Sequence, residues 1–309
     1  MTPPWPMAPV PPQLDFPTLT WNRARMKIST RPFQTRDGLS LVADVGGAEN
    51  APTVILAHGG GQTRHSWSGA MERLIQEGYH VINFDARGHG ESDWAPDGNY
   101  SLDAQASDLA VLASATSRPV ALVGASMGGA SSLYAVGTGI VSTARALILV
   151  DIVLRPAAAG VEKITRFMTA NPGGFATLEE AADAVAAYNP LRPRPSNPAG
   201  LMKNLRLRED GRLHWHWDPR MLTVNPSTEP PARTEALLEA SRGVTVPTLI
   251  IRAGQSDVID EDGLAEMRDL VPQTEVFDVP GAGHMVAGDK NDAFNAGVTS
   301  FLRQHFPSA

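Results

Sequence analysis

The sequence predicts an α/β protein: a mostly parallel sheet with flanking helices and a mainly helical cap inserted between two of its strands. Three observations predict it. Short runs that are apolar throughout alternate with segments of helical spacing, the pattern of strands covered on both faces. The stretch from about 155 to 242 breaks that alternation with helix-like and proline-rich pieces. And in "ALVGASMGGASSLY" (121–134) a serine stands among glycines just where an apolar run should turn into a helix.

The elements follow in order. Residues 1–25 are proline-rich and read as an extended arm of polyproline character. They lack the basic start and continuous apolar core of a signal peptide. Residues 26–46 read as an opening hairpin turning at Asp37-Gly38. "TVILAHGGG" (53–61) is a short strand ending in glycines, and "SWSGAMERLIQEG" is a helix closed by Gly78. "HVINFDARGHG" is the next strand and loop, followed by a helix that Ser101 caps in "SLDAQASDLAVLASAT". "PVALVGAS" and "RALILVDIVL" are strands, and "VPTLIIRAG" (246–254) and "TEVFDVPGAG" (274–283) complete the sheet. The expected organisation is an arm at 1–25, a core of 26–154 and 243–309, and a cap at 155–242.

Composition narrows the function. With 309 residues and 42% apolar content the chain can bury a sizeable core. A net charge of −7, with 26 scattered basic residues, argues against nucleic-acid or membrane-surface binding. The absence of cysteine excludes disulfides, thiolate metal sites and cysteine nucleophiles. No apolar run reaches the roughly 18–20 residues that span a bilayer, and a cytoplasmic location is expected.

Ligands of an open parallel sheet bind at the carboxyl ends of its strands, and Ser126 sits at such an end. Gly-x-Ser-x-Gly between strand and helix is a nucleophile elbow, with small residues closing the turn while the serine projects. A serine needs a base. His284 lies in "VPGAGHMV", a glycine-rich loop after the last strand. The base in turn needs a carboxylate to hold its tautomer. Asp257 follows "TLIIRAGQSD" at a strand end, and Asp151 in "LILVDIV" is the alternative. Asp260 lies close by. "LAHGGGQ" (56–62) supplies glycines whose N–H groups can approach a developing oxyanion.

These residues resemble the α/β-hydrolase fold enzymes that carry a cap, over roughly residues 26 to 306. "FDARGHGESD" (84–93) resembles the loop after the fourth strand in the branch containing epoxide hydrolases, cofactor-free haloperoxidases and many esterases. The resemblance implies an eight-stranded, mostly parallel sheet. It implies Ser126 as nucleophile, Asp257 as acid and His284 as base, with the N–H groups of Gly60 and Met127 as the oxyanion hole. Gly61 is the lesser donor candidate, and His58 is a structural loop-holder. Epoxide hydrolases of this fold attack with an aspartate, so the serine here points instead to acyl transfer. The expected activity is hydrolysis of small or medium carboxylic esters, including monoesters of dicarboxylic acids, through an acyl-enzyme. Carbon–carbon bond or lactone hydrolysis by the same triad is the alternative, and a non-catalytic small-molecule receptor is the alternative of another class. No cofactor or metal is expected. The partner is a small-molecule ester, with neither nucleic acid nor membrane, and a homodimer is admitted.

Other residues carry less. "HWHWDP" (214–219) places both histidines on one side of an extended segment and both tryptophans on the other, a weak metal signal better read as cap structure. Gly61, Trp67 and Trp215 are candidate substrate-binding residues. Glu91 and Asp93 are expected to brace their loop, and Asp289 and Asp292 to cap a helix. Arg155, Arg166, Arg192, Arg194, Arg206 and Arg208 place positive charge around the cap, which permits a substrate with a second carboxylate.

Overall fold

The computed structural model describes residues 26–190, 194–222, 230–281, 283 and 292–308. The arm at 1–25 and the segment around His284 therefore lie outside the described residues. β1 (Ser29–Gln34) and β2 (Ser40–Gly46) form the expected antiparallel hairpin, with Phe33 opposite Leu41. β2 is also antiparallel to β4 (His80–Phe84). β3 (Thr53–Ala57), β5 (Val120–Ala125), β6 (Ala144–Val150), β9 (Thr248–Ala253) and β10 (Thr274–Val279) are parallel to their neighbours. The eight strands run in the order β1-β2-β4-β3-β5-β6-β9-β10. A separate pair, β7 (Leu205–Leu207) and β8 (Leu213–Trp215), lies in the insertion.

The central strands are apolar throughout because they are covered on both faces. In β5, Leu122 packs to one side while Ala121 and Val123 pack to the other. In β6, Leu147 and Leu149 face the first side, Ile148 and Val150 the second. That two-residue alternation is the pleat itself. Each fully buried aliphatic side chain of this kind contributes about 1.5–3 kcal/mol. One face is covered by α2 (Leu102–Ser114), α3 (Met127–Gly137), α6 (Pro230–Arg242) and α7 (Glu261–Leu270). The other is covered by α1 (Ser68–Gln76) and α8 (Asp292–His305). Ser101 caps α2 as its sequence predicts, its hydroxyl accepting from the Ala104 N–H at 3.3 Å.

Between β6 and β9 the chain leaves the sheet. It forms α4 (Ala158–Thr169), α5 (Leu178–Tyr188), the β7–β8 pair and α6. Phe167, Phe175, Trp215 and Trp217 gather here into an apolar cluster separate from the two sheet faces. α6 returns to the core and lies directly on α3. The contact is close enough that a Cβ at Gly137 would collide with the Ala240 carbonyl. Among the described residues no helix is long and apolar enough to cross a membrane.

Candidate active site

β5 ends at Ala125 and α3 begins at Met127, so Ser126 alone makes the turn, at φ +47° and ψ −111°. A non-glycine residue held there costs on the order of 1–3 kcal/mol. The flanking glycines make it sterically possible: a Cβ at Gly128 would strike the Ala57 and His58 carbonyls, and one at Gly124 the Gly128 carbonyl. Among the described residues only Lys27, Ser126 and Asp151 have positive φ without being glycine. Two of those three stand at the ends of the neighbouring strands β5 and β6, with Asp151 at φ +50°. Strain of this kind concentrates at functional sites.

Ser126 is half-buried and opens on a cavity of about 1680 Å3 at the carboxyl ends of the strands. Gly60, Gly61, Met127 and Asp151 form its floor, and Met168, Trp215 and Trp217 part of its roof. On the loop after β3 the Gly59 N–H donates to Gln62 Oε1 at 3.1 Å, and the Gly61 N–H donates to His89 Nε2 at 3.1 Å. The Gly60 N–H between them has no acceptor among the described residues. The Met127 N–H lies in the first turn of α3, where a helix provides no acceptor. A Cβ built on Gly60 would touch Met127 Cβ at 4.0 Å, so the two donors are neighbours. Gly61, whose N–H is taken by His89, is not a second free donor.

Residues 52–290 match the family model described as alpha/beta hydrolase fold. The chain belongs to this family. Among relatives of this α/β hydrolase, a mouse (Mus musculus) sn-1-specific diacylglycerol lipase is 25% identical over 83% of this chain and 82% of its own length. An esterase of Mycobacterium tuberculosis is 28% identical over 78% of this chain and 79% of its own. The crystal structure of E-2-(acetamidomethylene)succinate hydrolase has the same fold, with a TM-score of 0.77 at 23% identity, covering 89% of this chain and 99% of that one.

Three buried histidines hold the floor of the α/β-hydrolase cavity in place. His58 Nδ1 donates to the Gly59 carbonyl at 2.8 Å, and its Nε2 accepts from the Ala86 N–H at 2.9 Å. His89 Nε2 accepts from Gly61, which leaves Nδ1 to donate to the Arg87 carbonyl at 3.2 Å. His216, from the insertion, accepts at Nδ1 from the Gly90 N–H at 2.7 Å and turns Nε2 toward the Gly61 carbonyl at 3.3 Å. Their rings lie against one another, with centroids 4.9 Å (His58–His89) and 5.7 Å (His89–His216) apart. Burial holds all three below the ordinary histidine range, and pushes His89 down to about 3 with His58 adding to the effect. They are neutral clamps, each with its tautomer fixed by its partners. His58 thus holds its loop as expected. His89 and His216 were not singled out from sequence as parts of the site, although "RGHG" and the alternation in "HWHWDP" contained both.

The two candidate acids differ. Asp151 is 2% exposed and lines the cavity. Its Oδ1 accepts from the Ala253 N–H at 3.1 Å and its Oδ2 from the Ser256 hydroxyl at 2.9 Å. Asp257 is about one-third exposed, is not among the described cavity-lining residues, and accepts from Lys163 Nζ at 2.7 Å. Asp260 caps α7 through the Gly263 N–H at 2.8 Å. His284 and Asp289 lie outside the described residues, and Asp292 stands in the first turn of α8.

Of the candidate binding residues, Gly61 and Trp215 line the cavity. Trp67 does not. It is fully buried on the opposite face of the sheet, 5.8 Å from the Phe294 ring. Trp67, Ala70, Met71 and Leu74 have the spacing of one helical face, and in the structure that face packs against the sheet. Trp215 stacks on Trp217 at 4.9 Å, while His214 turns away to Asp210 at 2.8 Å. Glu91 pairs with Arg64, whose guanidinium also meets buried Asp85, and Asp93 accepts from the Ser40 N–H at 2.8 Å. Both acids brace their loop as expected. Among the described residues no group of three His, Cys, Asp or Glu is arranged to hold a metal.

Proposed function

We propose that this α/β hydrolase is a serine hydrolase of carboxylic esters. The observation that carries the reading is Ser126. It is held in a strained turn facing the cavity, beside two N–H donors, Gly60 and Met127, that nothing else in the described structure engages. Relatives named as esterase and lipase support the same chemistry. Ser126 Oγ attacks the ester carbonyl carbon while its proton passes to His284. The carbonyl oxygen becomes an oxyanion between the Gly60 and Met127 N–H groups. Each donor of this type is worth about 2.7–4 kcal/mol to the transition state. The bond to the alcohol then breaks, and the alcohol leaves with the proton from His284. Water, deprotonated by the same histidine, attacks the acyl-enzyme, and the acid and free Ser126 are released.

For the acid, the reading takes Asp151 in place of Asp257. A triad carboxylate must be withheld from water and held in one orientation. Asp151 is buried, fixed by two donors and on the cavity floor, whereas Asp257 is partly solvated and bonded to a lysine.

A panel of p-nitrophenyl esters tests the reading. The wild type should turn over at least one short ester, and Ser126→Ala should lower kcat/KM by roughly 10^4-fold or more. Turnover of lactones or carbon–carbon substrates, with every ester refused, would replace it with the alternative hydrolase.

A further inference from the structure

Three described arginines line the cavity, and two are already engaged. Arg155 pairs with Glu266 and Arg194 with Asp183. The third, Arg233, makes neither a hydrogen bond nor an ion pair among the described residues. The other arginines that the sequence singled out are also occupied. Arg166 pairs with Glu162, Arg206 donates to the Gly90 carbonyl, and Arg208 lies over the Trp94 ring; Arg192 lies outside the described residues.

The position of Arg233 is fixed by the core. It lies one helical turn before Leu237, on the same face of α6. Leu237 packs into the sheet-side core with Ala130 of α3, the helix that begins immediately after Ser126. Both Arg233 and Leu237 line the cavity. Arg233 keeps part of its surface open while protein atoms close around its guanidinium, the combination expected of a group facing an internal cavity rather than bulk water. That enclosure holds its pKa below the ordinary arginine value, with no carboxylate among the described residues to offset it. An enclosed cation without a partner is costly to keep, and a ligand anion removes the cost.

The described acids that line the cavity do not serve. Glu162 is bonded to Arg166. Glu235 is two residues along α6, a spacing that does not bring side chains together. Asp151 is held in the floor by Ala253 and Ser256. A planar guanidinium matches a carboxylate by two parallel N–H···O bonds. One cation in a largely apolar wall suits a single negative charge.

We propose that Arg233 receives a free carboxylate carried by the substrate at the end away from the scissile ester, so that the natural substrates are half-esters of dicarboxylic acids. The proposal rests on the serine-esterase reading and adds the chemical class of the acyl group. It assigns the recognition to a residue that none of the sequence motifs marked.

The test compares mono-p-nitrophenyl glutarate with the uncharged p-nitrophenyl valerate, a chain of similar length. The wild type should favour the charged ester by about 10–100-fold in kcat/KM, the range of a charge-assisted hydrogen-bonded pair. In Arg233→Met that ratio should collapse to within about threefold of unity, mainly through KM, while Arg233→Lys keeps part of it. Arg166→Met, on the exposed outer surface, should keep the wild-type ratio. Calorimetric titration of glutarate into Ser126→Ala and into the Ser126→Ala/Arg233→Met double variant reads the site without turnover. Glutarate binding that the second change abolishes supports the proposal even if no ester is cleaved, an outcome that would instead remove the esterase reading. Equal use of both esters by the wild type, or a ratio unchanged in Arg233→Met with its melting temperature intact, would overturn it.

Discussion

The floor and the roof of the cavity are built on different terms. The floor, at the ends of β3, β5 and β6, presents chemistry through the backbone: two N–H groups, a strained serine and a strained aspartate. The roof, from α4 to β8, presents side chains packed on one another, with Trp215 against Trp217 and Phe167 against Tyr188 at 4.3 Å. A backbone-built site needs glycine or strain at fixed positions, and such positions leave a short, local signature. A side-chain wall needs only volume and shape, which many sequences supply. On the proposed reading the floor sets the reaction and the roof the substrate. His216 joins them, since it comes from the roof and bonds the peptides of Gly61 and Gly90 in the floor.

The largest expected effect tests the floor alone. Asp151→Asn should lower kcat by about 10^4-fold, because the neutral amide cannot stabilise the imidazolium and favours the wrong tautomer. Asp257→Asn should change kcat by no more than a few-fold, because it breaks one partly exposed ion pair with Lys163. Steady-state kinetics on one p-nitrophenyl ester decides between them. The reverse pattern would return the acid's role to Asp257 and leave the strain at Asp151 without a catalytic purpose.

A smaller effect tests the joint. His216→Leu removes both bonds to the floor, including the one at the Gly61 carbonyl beside the Gly60 donor, and leaves Gly61 held through its N–H by His89 alone. Misplacement of a transition-state donor by about 1 Å costs up to about 100-fold, so kcat should fall by about 10–100-fold with KM moving less. His216→Gln, which keeps a donor and an acceptor, should recover part of the loss. His214→Gln should stay within about threefold of the wild type, since His214 bonds Asp210 away from the floor. Equal losses at His214 and His216 would mean that the segment matters only for folding.

This division also explains what could be read from the sequence. The hairpin, the parallel strands and the elbow were legible because each depends on neighbours in sequence: apolar runs of strand length, and glycines on either side of Ser126. Asp151 and Asp257 could not be ranked, because both follow apolar strands and only the packing shows which one is enclosed. Trp67 was misplaced for a related reason. An aromatic residue near a glycine-rich loop suits a pocket wall or a core, and its direction depends on which face of the sheet α1 covers. Arg233 carried no local signal at all. Its meaning comes from the absence of a partner among the described residues, a property of the packing that the sequence around it does not show.

The smallest effect concerns acid. His89 is neutral in the folded protein, and burial pushes its pKa down to about 3, against about 6.5 when unfolded. The unfolded chain therefore binds the proton first as pH falls. The stability that His89 contributes is intact above about pH 6.5, and it is lost progressively as pH falls from there toward about 3. At pH 5.5 the loss from this residue is about 1.4 kcal/mol relative to pH 8. His58 and His216 are shifted in the same direction and steepen the decline. His89→Gln keeps an acceptor for the Gly61 N–H and removes the titration. Urea unfolding at pH 8 and pH 5.5 should then show a drop smaller by about 1.4 kcal/mol in the variant than in the wild type. An identical drop in both would mean that the histidine cluster admits a proton without unfolding. The floor would then be held by Gln62 and the helix start more than by its buried rings. If the smaller drop is found, the neutral histidines that keep the Gly60 donor in place are also what acid attacks first.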